Sequence, residues 1–357
     1  MSILSDLKFP SWLRPFLTAL LLGVAAALLC SWLRTPLPWM IGPLLATAVA
    51  RMSGRELHCP VPAREAGQWV IGTALGLYFT PAVVKTLASY VGYIALGVLF
   101  ALLLGIGCGW LLRRLTGIDR TTAFFAMAVG GASEMATQGE RHGAQIDRVA
   151  AAHSMRIMLV VLVIPFGFKF LGLHGLDPYV PGARAVDGAG LLALVALTSV
   201  CAYALRRLHL PNAWVIGPLL MTLALTANGW DLSALPRWVV DVGQLLIGIS
   251  LGTRFTPAFL HTAPRYLAGV AACGVAAIAV AALFATALAA ISGIPLPTAI
   301  LATSPGGIAE MSLTAKTLQL GVPVVTAFHV TRMVALVLSI GPVFRLARHL
   351  RRRLQSS

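Results

Sequence analysis

Two glutamates stand out in this sequence because each follows a glycine pair inside an apolar segment. The motif is Gly-Gly-x-x-Glu-Met, and its two copies start at residues 130 and 306. A carboxylate at membrane depth is costly and marks a functional site, while a glycine pair releases the backbone from a regular helix. The motif therefore predicts two broken helices that open their polar ends at a substrate or ion site. The residues assigned to it are Gly130, Gly131, Glu134, Gly306, Gly307 and Glu310.

A second duplicated motif pairs a histidine with an arginine three residues later, as His153/Arg156 and His329/Arg332. This spacing places both side chains on one face of a helix. An arginine among apolar residues must find an anion, a carboxylate or backbone carbonyl groups. Two interpretations stay open. The arginines hold an oxyanion of the substrate, or each arginine forms an internal salt bridge with the glutamate of its own repeat.

Secondary candidates lie in another pair of matching segments. They are the polar residues Gln68 and Gln244 and the helix-breaking pairs that begin at Thr80 and Thr256. A threonine beside a proline is also typical of simple repair of the backbone groups that proline frees.

We predict no catalytic residue, no metal site and no cofactor. Two glutamates and two histidines could ligate a divalent cation, but two arginines nearby would repel it, and no HExxH spacing occurs. The five cysteines form no CxxC pair, which argues against a thiolate metal site.

An internal repeat organises these motifs. Both motifs recur at a constant offset of 176 residues, as do GQWVIG and GQLLIG, while WMIGP and WVIGP recur at an offset of 175. The predicted domains are a cytoplasmic N-terminal segment (1–14), membrane repeat 1 (15–170), a linker (171–186), membrane repeat 2 (187–345) and a basic cytoplasmic tail (346–357).

Composition places both repeats in a membrane. The 357 residues are 58% hydrophobic and only 11% charged, against roughly 25% charged in soluble domains. Each repeat contains six apolar segments. The first repeat has them at 15–33, 36–53, 67–87, 89–112, 121–139 and 147–170, and the second has them at 187–207, 211–228, 242–262, 264–291, 296–316 and 323–344.

Charge indicates how these segments are arranged. If the two Gly-Gly segments enter and leave at the same face, five segments cross in each repeat and the repeats are inverted. Most of the 27 Lys and Arg residues then lie in the cytoplasm with both termini, as the positive-inside rule requires. The fold predicted is all-α and polytopic, with two inverted repeats, each of five transmembrane helices and one re-entrant hairpin. The basic tail is an anchor at the anionic membrane surface, and nucleic acid is not an expected partner.

The duplicated Gly-Gly-x-x-Glu-Met, WxIGP and HxxR elements resemble the bacterial AbrB-type inner-membrane family. This resemblance covers nearly the whole chain. It implies a multi-pass protein of the bacterial inner membrane, linked by name to regulation of gene expression. The family is also labelled an ammonia monooxygenase, but no motif here is typical of a copper or iron oxygenase. The small soluble DNA-binding AbrB shares only the name.

Together these observations predict a secondary transporter of a small, anionic solute, because paired broken segments at the midplane are typical of transporter sites. One alternative is a membrane sensor or regulator that binds a ligand without moving it. Another is a metal-dependent membrane enzyme. The expected partners are the lipid bilayer, a small molecule or ion and, by fold-level analogy alone, a second copy in a homodimer.

Overall fold

The structure, a computed structural model, describes residues 11–175, 179–183, 185–257 and 264–356. Within these ranges all regular structure is helical, which confirms an all-α polytopic membrane protein. The helices are α1 (Leu13–Trp32), α2 (Pro38–Met52), α3 (Val61–Gly76), α4 (Pro81–Ser89), α5 (Val91–Thr116), α6 (Arg120–Met127), α7 (Ala132–Arg141), α8 (Ile146–Phe170), α9 (Gly188–Arg207), α10 (Ala213–Ala227), α11 (Arg237–Gly252), α12 (Pro264–Ser292), α13 (Leu296–Thr303), α14 (Ile308–Thr317) and α15 (Val322–Ser356).

Six of these helices are long and apolar enough to cross a bilayer: α1, α5, α8, α9, α12 and the part of α15 up to Arg345. A bent pair, α3 and α4, would make a seventh span. Parts of the predicted terminal and linker segments, namely residues 1–10, 176–178, Arg184 and Ser357, lie outside the described residues.

The chain folds into two compact units that do not coincide with the two sequence repeats. One unit comprises Met1–Leu77 and Pro181–His261, and the other comprises Tyr78–Val180 and Thr262–Ser357. Each unit therefore combines one part of each repeat. We call them the first unit, which holds α1–α3 and α9–α11, and the hairpin unit, which holds α4–α8 and α12–α15.

In the first unit the equivalent helices α3 and α11 run in opposite directions. Gly67 packs against the Gly243 carbonyl, since a Cβ on Gly67 would lie 2.9 Å from that oxygen. Val70 also packs on Gly243, whereas the earlier Cys59 lies at the later Leu246. Position along one helix rises as position along the other falls. The two repeats are therefore inverted relative to each other in this unit.

Glycines allow helices of different repeats to pack closely within the first unit. A Cβ on Gly72 of α3 would overlap the Val215 carbonyl oxygen of α10, and one on Gly248 of α11 would lie 2.5 Å from the Met40 oxygen of α2. Gly76 and Gly252 make the corresponding contacts one turn further along. Because close backbone approach requires glycine, the repeated glycines set the spacing of α3 on α10 and of α11 on α2.

The hairpin unit shows the same inversion in its longest helices, α5 and α12. Near one end Tyr93 donates from its hydroxyl to the Ile291 carbonyl at 2.8 Å. Further along, the rings of Phe100 and Phe284 stack with centroids 4.0 Å apart, and towards the other end Thr116 lies against Gly269. The equivalent helices therefore run antiparallel over most of their length.

One predicted segment differs from the structure. The single apolar segment 67–87 is instead two helices, α3 and α4, which are bent by 86° where the chain passes Leu77–Thr80. Proline explains the break, because Pro81 lacks a backbone N–H and takes the first position of α4, where that N–H is not needed. This break also coincides with the boundary between the two units.

The glycine packing yields a test of the first unit. We expect Gly72→Ala to destabilise the protein by about 1–3 kcal/mol, the usual range for overpacking, because the new methyl group overlaps the Val215 carbonyl. The control is Gly107→Ala, at a helical position in α5 where a Cβ would meet nothing within 4 Å. Thermal unfolding in detergent compares the two variants. Equal melting temperatures would contradict the packing described here.

Candidate functional site

The first Gly-Gly segment is a helical hairpin made of α6 and α7. Its base is closed by hydrogen bonds from Gln145, the residue before α8, to Thr122 in the first turn of α6 and to Asp119, the residue before α6. The Gln145 backbone N–H donates to the Thr122 hydroxyl oxygen at 2.8 Å, and the Gln145 amide donates to Asp119 at 3.3 Å. Asp119 also caps α6 by accepting from the Thr122 N–H. The segment therefore begins and ends at the same end of the unit, as predicted.

The second hairpin, α13 and α14, closes in the same way. Gly321, the equivalent of Gln145, lies against Thr298, the equivalent of Thr122, because a Cβ on the glycine would lie 3.0 Å from the threonine methyl group. The turn after each second arm is also the same, since the Ala144 and Leu320 N–H groups each donate at 2.8 Å to a carbonyl five residues earlier.

The first glycine of each pair makes room for the methionine of the motif. A Cβ on Gly130 would lie 2.8 Å from the Met135 methyl group, and one on Gly306 would lie 2.5 Å from Met311 Cγ. Both methionines are fully buried. The methionine therefore fills the tip of its own hairpin and packs directly on the first glycine.

The second glycine makes room for the glutamate. Gly307 is the N-cap of α14, and Glu310 occupies the third helical position. A Cβ on Gly307 would overlap the Glu310 carboxylate, so the carboxylate lies directly over the start of the helix. Free N–H groups and the helix dipole favour negative charge there. Gly131 and Glu134 hold the same positions at the start of α7.

The histidine and arginine of repeat 1 bind the carbonyl end of the first arm. His153 donates from Nε2 to the Phe125 carbonyl at 3.0 Å. Arg156 donates from Nη1 to the Ala128 carbonyl at 2.7 Å and from Nη2 to the Gly130 carbonyl at 3.1 Å. Since α6 ends at Met127, these carbonyls lie at and just beyond its C-terminus. His153 and Arg156 thus cap the first arm from the neighbouring helix α8.

Repeat 2 reproduces this cap at every equivalent atom. His329 donates from Nε2 to the Leu301 carbonyl at 2.9 Å, and Arg332 donates from Nη1 to the Ser304 carbonyl at 2.6 Å. Arg332 Nη2 donates to the Gly306 carbonyl and also to Nδ1 of His329. That last bond fixes His329 as the tautomer with its proton on Nε2.

These bonds identify the acceptors of the two arginines. Of the anion, carboxylate or carbonyl groups that the sequence allowed, backbone carbonyls accept from both Nη atoms of each guanidinium. Both arginines are buried, with exposures of 5% and 7%, and they lie close enough to interact electrostatically. The tip of the second hairpin also reaches the helix of the first cap, because Gly306 packs against Val160 of α8. The two hairpin tips and both caps therefore converge in the hairpin unit.

The two hairpins differ in polarity and exposure. Glu310 is buried, with 8% exposure, whereas Glu134 is half-buried. The Thr326 hydroxyl donates to the Ser312 hydroxyl oxygen at 2.9 Å and joins α14 to α15. The equivalent residues in repeat 1 are alanines. The second arm of hairpin 2 is thus tied to its neighbour by a side-chain hydrogen bond for which repeat 1 has no counterpart residues.

The predicted site residues do not all lie together. The six motif residues and both histidine–arginine pairs lie in the hairpin unit, as does Thr80, which is the N-cap of α4. The secondary candidates Gln68, Gln244 and Thr256 belong to the first unit. Among the described residues, no group of three or more His, Cys, Asp or Glu side chains could hold a metal ion.

Comparison with known proteins extends the likeness beyond these motifs. Residues 39–348 match the family described as transition state regulatory protein AbrB. The chain belongs to the AbrB family. It is 25% identical over 339 residues to the uncharacterized protein YhjN of Bacillus subtilis, covering 87% of this chain and 88% of that protein. It is 26% identical over 315 residues to "Putative regulator AbrB" of Escherichia coli, covering 86% and 88%.

The caps yield a test of what the arginines do. We expect Arg332→Lys to destabilise the protein by about 1–3 kcal/mol, because an ammonium group keeps the charge but cannot bridge the Ser304 and Gly306 carbonyls, and a buried acceptor left unsatisfied costs about that much. The control is Arg206→Lys, because Arg206 is exposed and paired with Glu65 at 3.3 Å. If both variants unfold at the same temperature, the carbonyl cap is not structural.

Inversion of the hairpins is testable in intact cells. In a background without the five native cysteines, single cysteines replace Glu140 at the base of hairpin 1 and Gln319 at the base of hairpin 2, both at exposed positions. We expect an impermeant maleimide to label Gln319→Cys from outside and Glu140→Cys only after permeabilisation. Labelling of both variants from outside would mean that the Gly-Gly segments cross the membrane.

Proposed function

We propose that this protein is a secondary transporter of a small organic anion, with the substrate site at the tips of the two hairpins. The observation that carries the proposal is the arrangement of each tip. A guanidinium caps the carbonyl end of the first arm and a carboxylate lies over the N-terminus of the second arm. Both tips lie in one compact unit. Broken helices of this kind build the substrate sites of many secondary transporters.

The helix starts supply the binding chemistry. Helices α7 and α14 begin at the hairpin tips with N–H groups that lack intrahelical partners. Such an end binds carboxylates and other anions. The two buried arginines add positive potential at the same place, although their Nη atoms are engaged with carbonyls. We therefore infer that the arginines attract the anion through their field and hold the tips in position, while the helix starts contact it.

The glutamates provide a way to couple movement of the substrate to movement of a proton. The Glu310 carboxylate occupies the start of α14, where the carboxylate of a substrate would bind. Two carboxylates at one helix start repel each other, so binding of the substrate favours protonation of the glutamate. The substrate and one proton would then move together. Glu134 holds the equivalent position in α7, so it can be protonated in the same way at the other hairpin.

The comparisons favour one alternative. The Escherichia coli relative is named as a regulator, which suggests a sensor that binds a ligand at the same tips without moving it. The two functions differ in one observable. A transporter carries net substrate across a sealed membrane, whereas a sensor shows saturable binding and no flux.

The test measures uptake of radiolabelled formate, lactate, succinate and citrate into proteoliposomes, because one proton moved together with a monocarboxylate carries no net charge. We expect at least one acid to enter wild-type proteoliposomes at a rate that an imposed pH gradient alters. We expect Glu310→Gln to reduce that rate by about tenfold or more, because the intramembrane carboxylate carries the proton. Unfolding temperature and elution volume establish that the variant is folded.

The matched control is Glu140→Gln, an exposed carboxylate in the same chain, which should leave the uptake rate unchanged. Saturable binding of an acid without uptake of any of the four would favour the sensor. Wild-type uptake that Glu310→Gln leaves intact would refute the coupling role of this residue.

A further inference from the structure

A cluster of arginines lies at one end of the first unit, apart from the hairpins. Arg51 is in the last turn of α2, and its Nη1 donates to the Arg55 carbonyl at 3.3 Å in the loop that follows. Arg64 is in the first turn of α3, where its N–H donates to the Pro60 carbonyl. The loop 53–60 therefore brings the two helix ends and their arginines to the same end of the unit.

A third arginine joins this end from repeat 2. Arg254 follows the C-terminus of α11, and both Arg254 and Arg64 lie close enough to Cys59 in the loop to interact with it electrostatically. Helix α11 runs parallel to α2 here, since Gly248 packs at Met40 and Gly252 packs one turn further along, at Thr47. The end of α11 thus reaches the level of Arg51.

Arg51 and Arg64 are not neutralised by the residues that the structure describes. Arg51 and Arg64 form no ion pair within the described ranges, and the Nε atom of each is buried without a hydrogen-bond partner. A buried donor left unsatisfied costs free energy. By contrast, Arg206 in the same unit is paired with Glu65. Arg51 and Arg64 therefore offer charge and free Nε donors that a ligand can satisfy.

We propose that Arg51, Arg64 and Arg254 form a binding site for a phosphate group. Guanidinium groups match phosphate oxygens in geometry and charge, and they bind them with paired N–H donors. Burial raises the pKa of the Cys59 thiol to about 11, so this group stays uncharged near neutral pH and does not compete with the anion.

The surroundings identify how a phosphate reaches the cluster. Cys59 packs on the small core made by Ala19, Leu57, Leu245 and Ile249, which includes helix α1. The same helix exposes apolar side chains, such as Leu21 at 74%. A lipid whose chains lie along α1 would carry its headgroup phosphate to this end. Basic pockets between helices on the cytoplasmic side are typical sites for anionic lipid headgroups.

The site occurs at one end of the unit only. Thr226 and Val240 hold the positions in repeat 2 that match Arg51 and Arg64. The topology predicted above places loop 53–60 in the cytoplasm, where the leaflet is rich in anionic lipids. The inverted repeats therefore present a phosphate site to one leaflet, whereas the matching positions Thr226 and Val240 carry no charge.

The test measures unfolding temperature in detergent for the full-length protein with added phosphatidylglycerol, phosphatidylcholine or inorganic phosphate. For the wild type we expect phosphatidylglycerol to raise the temperature by about 3–5 °C at saturation and phosphatidylcholine to have little effect. The double variant Arg51→Gln/Arg64→Gln should lose the shift. Arg206→Gln, which removes one positive charge in the same unit, should retain it.

The comparison of added ligands distinguishes a lipid headgroup from a free phosphate compound. A shift with inorganic phosphate and none with phosphatidylglycerol would mean that a free phosphate compound is the ligand. If the double variant does not fold, Arg64→Gln alone, followed by native mass spectrometry of bound phosphatidylglycerol, makes the same comparison. A wild type that responds to neither ligand, or a response that all the variants share, would overturn the proposal. Neither result depends on whether the hairpins transport a substrate.

Discussion

The structure of the hairpin unit depends on satisfying the backbone groups that a broken membrane helix leaves without hydrogen-bond partners. Each Gly-Gly break exposes carbonyls on one side and N–H groups on the other, and in hydrocarbon each unsatisfied group costs several kcal/mol. Arg156 and Arg332 satisfy the carbonyl side, and Glu310 covers the N–H side of its hairpin. The glycine pair provides space at the break, the methionine fills the hairpin tip, and the HxxR helix provides the hydrogen-bond donors. All three features follow from this requirement.

Inversion makes this solution available from both faces of the membrane. Equivalent helices run antiparallel in each unit, and each hairpin closes its base at its own end. The two chemically similar tips then meet in the hairpin unit, and their hairpins enter from opposite ends of that unit. Because the two tips are otherwise equivalent, the differences between them distinguish the two hairpins. The buried Glu310 and the Ser312–Thr326 bond distinguish hairpin 2, whereas Glu134 is more accessible.

Much of this architecture could be predicted from the sequence because the repeat is in register. The constant offset located both hairpins, and the odd number of remaining segments indicated inversion. Other features could not be predicted. The spacing of His153 and Arg156 fixes a helix face, but the Ala128 and Gly130 carbonyls are 26 to 28 residues away, and only the fold brings them together. Arg254 falls within the predicted apolar segment 242–262, whereas the packing of α11 in the first unit places it near Arg64 and Cys59.

The division of each repeat between two compact units has a consequence for biogenesis. Helix α3 packs through its glycines against α10 and α11, and α5 lies along α12, and all three of these partners belong to the second half of the chain. During translation, the helices of repeat 1 are therefore inserted into the bilayer before their packing partners in repeat 2 have been synthesised. Contacts of such long sequence separation slow assembly, and incompletely packed intermediates are prone to misassembly. The ancestral duplication thus made correct insertion of the second half a condition for folding of the first.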